Sequence, residues 1–373
     1  MRIIKYTFVS IFITSFLLSC YGCSSTKEID KRAFVACIGI DTGQFDMHRF
    51  KVTLTFALPE KQMINYFNLT AEANTVNEAI ELIRTKISKD IDFSYAKVIL
   101  FGKSLASEDL SIAIDSLIRM REIQTISFVT IGEPNAKCIL DKRVELQKKA
   151  SKNLLSMNSL ILAFDGTGVE TNYITQVYLF DFYRNITELG VTPFLPIIKI
   201  QEDNFEIDEL ALLDKGVHLK TKTVLSPSET QIFNMLYANK SNLRLNIDSQ
   251  EKSFVVRVQY VKHSYSIDST TKVLPKLQYN IKISGIISES TSTQNQINLN
   301  KCEDLSSEVI SSQILKLLKK LQADNLDPIG FGLRYRSRNW NNSTKFEDWN
   351  KLYPSIDYEV NLKMKLESSG LIR

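Results

Sequence analysis

The chain has 373 residues, of which 44% are hydrophobic and 24% charged, with a formal net charge of +4 at pH 7. That composition is ordinary for a folded body, and the length exceeds what one core needs, predicting two or three domains. A charge this small, with Lys and Arg dispersed among acids, gives no ground for a nucleic-acid partner.

Two basic residues, Arg2 and Lys5, precede an uncharged run from Tyr6 to Leu18. A basic start, an apolar stretch and small residues at the exit make an export signal over residues 1–19. The run is shorter than the ~20 apolar residues a spanning helix needs. It ends in Leu17-Leu18-Ser19-Cys20, which reads as a lipobox whose cysteine thiol receives a diacylglyceryl group. Each buried methylene contributes ~0.8 kcal/mol, so two acyl chains hold where one would be marginal. Cys23, preceded by Gly22, competes for that role, but Cys20 and Tyr21 stand where a lipobox prefers an aliphatic and a small residue. Local chemistry therefore favours Cys20. Either cysteine leaves residues 20–27 as a tether and the body outside the cytoplasmic membrane.

The first strand is expected at Ala33 to Asp41, a continuous apolar run ended by Asp41-Thr42-Gly43. Phe50, Val52, Leu54 and Phe56 alternate with polar residues in a second strand, predicted to pair with the first as a hairpin. Thr75 to Lys89 is an amphipathic helix on Val76, Ala79, Ile80, Ile83 and Ile87. A strand at Ala96 to Phe101, a helix at Leu105 to Met120, a strand at Ile126 to Ile131 and a helix at Arg143 to Leu162 follow. Strands separated by helices imply crossovers rather than a sandwich. Pro193 and Pro196 mark 192–200 as an edge-like extended piece, since each removes a ladder donor.

The polar stretch 201–208 sets the main boundary. It gives an N-terminal α/β region at 28–203, of one or two subdomains, and a C-terminal domain at 204–373. In the latter, Glu209 to Leu213 and Val217 to Leu225 are strands, and Ser226-Pro227-Ser228-Glu229 spells a capping box with proline at the first helical position. Strands at Ser253 to Tyr265 and Lys276 to Ile287 precede a helix at Leu305 to Gln322. The alternation of Ile356, Tyr358, Val360, Leu362, Met364 and Leu366 with polar residues predicts a half-buried antiparallel strand with one wet face. The fold class is α+β: mixed, largely antiparallel sheets with packed helices.

Signals for catalysis are sparse. His48, His218 and His263 lie within or beside strand patterns, and none shares a short motif with Cys, Asp or Glu. Cys37, Cys138 and Cys302 make neither a disulfide framework nor a metal-ligand spacing and read as small buried residues. Asp165-Gly166-Thr167-Gly168 is too short for a phosphate-binding fingerprint and reads as a turn. Gly330-Phe331-Gly332, after Asp327-Pro328-Ile329, reads as a helix stop. Trp340 and Trp349 fit either an exposed ledge or a small core.

Several of these motifs together resemble the Ger(x)C lipoproteins, the C subunits of GerA-type nutrient receptors in endospore-forming bacteria. At the N-terminal end they are Gly22-Cys23, Glu28-Ile29-Asp30, Ala33-Phe34-Val35 and Ile38-Gly39-Ile40-Asp41. At the other end they are Asp327-Pro328-Ile329-Gly330-Phe331-Gly332, the aromatic stretch through Trp349 and the final strand ending Ser369-Gly370-Leu371. The family carries Trp-Asp after its lipidated cysteine, where this chain has Ser24-Ser25, and alignment to it would choose Cys23. The resemblance implies a subunit lipid-anchored on the outer face of the spore inner membrane. There it would scaffold GerA-type A and B membrane subunits, with no catalytic residue, cofactor or metal. Two other classes remain open on the residues: a tethered substrate-binding lipoprotein of a transporter, with two similar lobes about a polar cleft, and a tethered envelope hydrolase. Replacing both Cys20→Ala and Cys23→Ala is expected to move the protein from the membrane to the soluble fraction on sedimentation, whereas retention would refute lipid anchoring.

Overall fold

The computed structural model describes residues 29–43, 49–59, 64–149, 173–202, 204–237, 243–248, 253–268, 275–291, 298–338 and 345–367. Cys20, Cys23, His48, the 165–168 turn and Trp340 lie outside them.

β1 (Arg32–Thr42) and β2 (Phe50–Pro59) form the expected antiparallel hairpin, and β3 (Ile64–Ala73) extends it. In α1 (Val76–Arg84) the buried residues are Val76, Ala79, Ile80 and Ile83, and the Thr75 hydroxyl caps the first turn by accepting from the Glu78 N–H at 3.1 Å. β4 (Asp90–Asp92) and β5 (Val98–Gly102) both run parallel to β1. The single helix expected from Leu105 to Met120 is two, α2 (Lys103–Glu108) and α3 (Ser111–Arg119). Asp109 separates them, its carboxylate accepting from the Ser111 and Leu219 N–H groups at 2.9 and 3.1 Å, a local alternative to helical bonding. β6 (Phe128–Glu133) is parallel to β5, and α4 (Ala136–Lys149) begins well before Arg143, where sequence placed its start. The remainder of that expected helix lies outside the described residues.

After α5 (Leu179–Thr187) comes β7 (Phe194–Gln201), which is not an edge. It lies between β6, to which it is parallel, and β8 (Asn204–Lys215), to which it is antiparallel. Pro196 is tolerated because the ladder with β6 begins only at Ile131–Ile197. The Pro196 carbonyl, which faces β6, accepts instead from the Thr130 hydroxyl at 2.9 Å. β9 (Leu219–Leu225) closes a sheet of nine strands in the order β3-β2-β1-β5-β6-β7-β8-β9, with β4 beside β1. The sheet thus continues through the 201–208 stretch as a hairpin.

The capping box forms as read: in α6 (Pro227–Tyr237) the Ser226 N–H donates to Glu229 Oε2 at 2.9 Å, and the Glu229 N–H to the Ser226 hydroxyl at 3.4 Å. β10 (Arg244–Asp248), β11 (Ser253–Asp268) and β12 (Lys276–Ser290) form an antiparallel meander. α7 (Leu299–Ala323) crosses this second sheet with Cys302, Ser306, Ile310, Ile314, Leu317, Leu318 and Leu321 buried. α8 (Phe331–Arg338), α9 (Lys345–Leu352) and β13 (Asp357–Leu366) complete the fold. β13 carries the predicted inward face but is parallel to β12, not antiparallel. Alternation reports a wet face and a dry one, while strand direction is set by the α7 crossover. Cys37 and Cys302 are buried and Cys138 is half-buried, and none of the three forms a disulfide. Among the described residues no helix is long and apolar enough to cross a membrane.

The central strands β1, β5 and β6 are buried on both faces, which explains their continuous apolar sequence. α4 covers one face through Ala136, Ile139 and Leu140 against Cys37, Val98 and Leu100. Its N-terminus is fixed from a distance in sequence: the Ala136 and Lys137 N–H groups donate to the two oxygens of Asp41 at 2.7 and 2.9 Å. Burial raises the Asp41 pKa, while these amides and nearby lysines pull it down. The approach requires glycine below. A Cβ on Gly102 would overlap Asp41 Oδ1, and one on Gly39 would lie 2.9 Å from Leu140 Cδ1. Asp41→Ala should cost about 1–3 kcal/mol, since it strands buried amide donors, and Gly102→Ala should also destabilise. Combined, they should cost less than their sum in urea unfolding, because removing the carboxylate makes room for the added methyl. Additive costs would show that the two positions do not compete for space.

Candidate functional site at the junction of the two sheets

The segment Asp327-Pro328-Ile329-Gly330-Phe331-Gly332 does not merely end α7. It starts α8, and Asp327 is the cap. Its Oδ1 accepts from the Gly330 and Phe331 N–H groups at 2.9 and 3.1 Å, and its Oδ2 from Gly332 at 2.8 Å. Gly330 takes φ +81°, which lets the chain turn back over the carboxylate. The carboxylate is buried. Burial pushes its pKa up to about 6, against the three amide donors and Lys215, which act to lower it.

The same residue binds the chain leaving α5. The Asp327 N–H donates to the Thr192 hydroxyl at 2.7 Å, and the Thr192 N–H donates to the Asp327 carbonyl at 2.9 Å. Beside this pair the Leu333 N–H donates to the Gly190 carbonyl at 3.0 Å. Gly190, at φ +87°, and Gly332 touch backbone to backbone, so a Cβ on Gly190 would lie 2.6 Å from the Gly332 carbonyl carbon. A Cβ on Gly332 would lie 2.5 Å from Trp349 Nε1. Trp349 is buried, its ring 5.3 Å from Tyr335 and 5.4 Å from Tyr353, so the core reading of that tryptophan holds. Phe331 is driven edge-on into Tyr265 of β11 at 4.8 Å, and the Tyr353 hydroxyl donates to the Leu326 carbonyl at 2.6 Å.

A cavity of about 370 Å³ lies alongside, lined by Val191, Leu213, Lys215, Asp327, Trp349 and Tyr353 among others. Lys215 donates to the Asn185 carbonyl at 2.9 Å and to that of Glu188, and burial brings its pKa down to about 8. Its ammonium and the Asp327 carboxylate are both committed to backbone groups, which suits them to holding segments together rather than to activating a substrate. The sequence-singled histidines lie elsewhere. His218 is exposed with Nδ1 3.3 Å from Asp109, and His263 Nδ1 is 3.2 Å from the Tyr279 hydroxyl. Among the described residues no group of three or more His, Cys, Asp or Glu could hold a metal. The joint was missed in the sequence because Asp-Pro after a helix reads first as a stop; the signal was the aspartate itself, three to five residues before glycines that open a new helix.

This two-sheet architecture is shared with a solved structure, the crystal structure of the GerBC protein. The match has a TM-score of 0.54 at 15% identity and covers 88% of this chain and 96% of that one. The family model described as spore germination protein N-terminal domain matches residues 25–200, and that described as spore germination B3/GerAC like, C-terminal, matches residues 208–370. The chain belongs to this Ger(x)C spore germination family. It is also 21% identical over 375 residues, 94% of each chain, to the "Putative spore germination protein YfkR" of Bacillus subtilis (strain 168).

The raised Asp327 pKa has a definite sign. Between the unfolded value of ~3.9 and the folded value the native state holds more protons, so this group's stabilisation is complete below ~3.9 and is lost as pH rises through about 6. Asp327→Asn should be less stable at every pH, because its amide nitrogen opposes a backbone donor. Its deficit in urea unfolding should shrink by ~2–3 kcal/mol from pH 4 to pH 7; a constant or widening deficit would contradict the raised value.

Proposed function

We propose that this chain is the lipid-anchored C subunit of a nutrient germinant receptor, tethered through Cys20 or Cys23 to the outer face of the spore inner membrane. It acts there without catalysis or cofactor, as a scaffold for GerA-type A and B membrane subunits. The observation that carries the reading is the match to the germination domains in N-terminal then C-terminal order over residues 25–370, on a fold shared with GerBC.

The joint supports a scaffold. Reciprocal hydrogen bonds between Thr192 and Asp327, and one apolar core running from β1 to β13, hold the two sheets as one body. A transporter's substrate-binding lipoprotein would have two similar lobes, whereas the sheets of nine and four strands among the described residues differ in both size and order. Tethering raises the local concentration of the body near membrane partners without any new contact.

A tagged copy, purified in detergent from spore inner membranes, is expected to bring A- and B-type membrane subunits with it. Recovery of an importer permease, or of no membrane protein, would overturn the receptor reading.

A further inference from the structure

β1, β5 and β6 are parallel and so start toward the same end of the sheet, with β1 and the short β4 beside it reaching further in that direction than β5 and β6. That end exposes large apolar side chains in front of each strand: Ile29 before β1 (75% exposed), Tyr95 before β5 (40%) and Ile126 before β6 (63%). Phe180, at the start of α5, joins them at 56%. The backbone makes Tyr95, Ile126 and Phe180 neighbours. The Ser127 hydroxyl donates to the Ala96 carbonyl at 2.6 Å, the Leu179 N–H to the Ser127 carbonyl at 2.8 Å, and the Phe180 N–H to the Thr125 carbonyl at 2.9 Å.

Each aromatic ring carries a cation. Lys97 Nζ is 5.6 Å from the centre of the Tyr95 ring, and the Arg184 guanidinium carbon is 5.8 Å from that of Phe180. Apolar rings each paired with a long-stemmed cation match a bilayer interface, where the ring enters the acyl boundary and the charge reaches back to the headgroup phosphates. Asp181 pairs with Arg184 at 3.1 Å, so apolar insertion, not net charge, supplies the attraction.

The chain's entry point selects the occupant. Five residues separate Cys23 from Ile29, and eight separate Cys20 from it. An extended tether therefore spans roughly 20 Å or roughly 30 Å. It enters at the start of β1. The Lys97 N–H donates to the Ala36 carbonyl at 2.9 Å, which sets the Tyr95 loop only ~13 Å along β1 from Arg32. We infer that the surface formed by Tyr95, Ile126 and Phe180 rests on the lipid bilayer, fixing which side of the body meets the membrane. This rests on the lipid-anchored reading above.

The test places the photo-crosslinker p-benzoylphenylalanine at Ile126, Phe180 or, as a control on β11 of the other sheet, Tyr260, which is 55% exposed. The full-length lipidated protein is irradiated in phosphatidylcholine–phosphatidylglycerol vesicles and in spore inner membranes, after circular dichroism has shown each variant folded. Lipid adducts at 126 and 180 should exceed those at 260 by at least ~10-fold. Vesicle co-sedimentation without that excess leaves the anchor standing and overturns the orientation. Adducts to a membrane subunit at 126 and 180 assign the surface to protein and overturn it as well. Failure to sediment with vesicles refutes the anchor, and the orientation falls with it.

Discussion

A carboxylate taken out of water loses several kcal/mol of solvation unless donors replace it, and this protein replaces it twice by the same means. Asp41, at the end of β1, receives the first two amides of α4, and Asp327 receives three amides at the start of α8. Helix N-termini offer unpaired N–H groups and a favourable dipole, so each aspartate and its helix satisfy one another. The consequences are long-range. Asp41 fixes where α4 lies on the central strands, and Asp327 fixes where the second sheet meets the first.

Both arrangements impose small residues on their surroundings. Gly39, Gly102 and Gly132 bring three adjacent strands within reach of the first turn of α4, and a Cβ on Gly132 would lie 3.1 Å from Ala136 Cα. At the joint, Gly190 and Gly332 let two backbones touch, and Trp349 closes over them. The buried charge and the close backbone approach are two sides of one constraint. Amides can reach a carboxylate from another element only where no side chain stands between them.

Sequence reasoning recovered what local pattern encodes. The β1–β2 hairpin, the α1 stripe, the Ser226 capping box and the inward face of β13 follow from periodicity and cap chemistry, which depend on near neighbours in the chain. The direction of β13, the interior place of β7 and the cap that Asp41 gives a helix ninety-odd positions away depend on tertiary partners. Pro196 misled because a missing donor marks an edge only if a neighbour asks for it, and the ladder with β6 begins only at the next residue, Ile197. Asp327 was visible as a motif by resemblance, but its role was not, because the same residues both stop one helix and start the next.

The joint also bears on how such a body can move. Separating the sheets would break the reciprocal Thr192–Asp327 bonds and the Gly190–Leu333 bond, and would uncover Phe331, Trp349 and the rings around them. Buried donors left unpaired cost about 1–3 kcal/mol each, and the large side chains add about as much apiece. Opening by hinge motion is therefore expensive, while moving as a unit costs the joint nothing. In the proposed scaffold role, a body built in this way would pass on a change at one surface by shifting position as a whole. That behaviour suits a tethered scaffold better than a binding protein whose lobes must open and close.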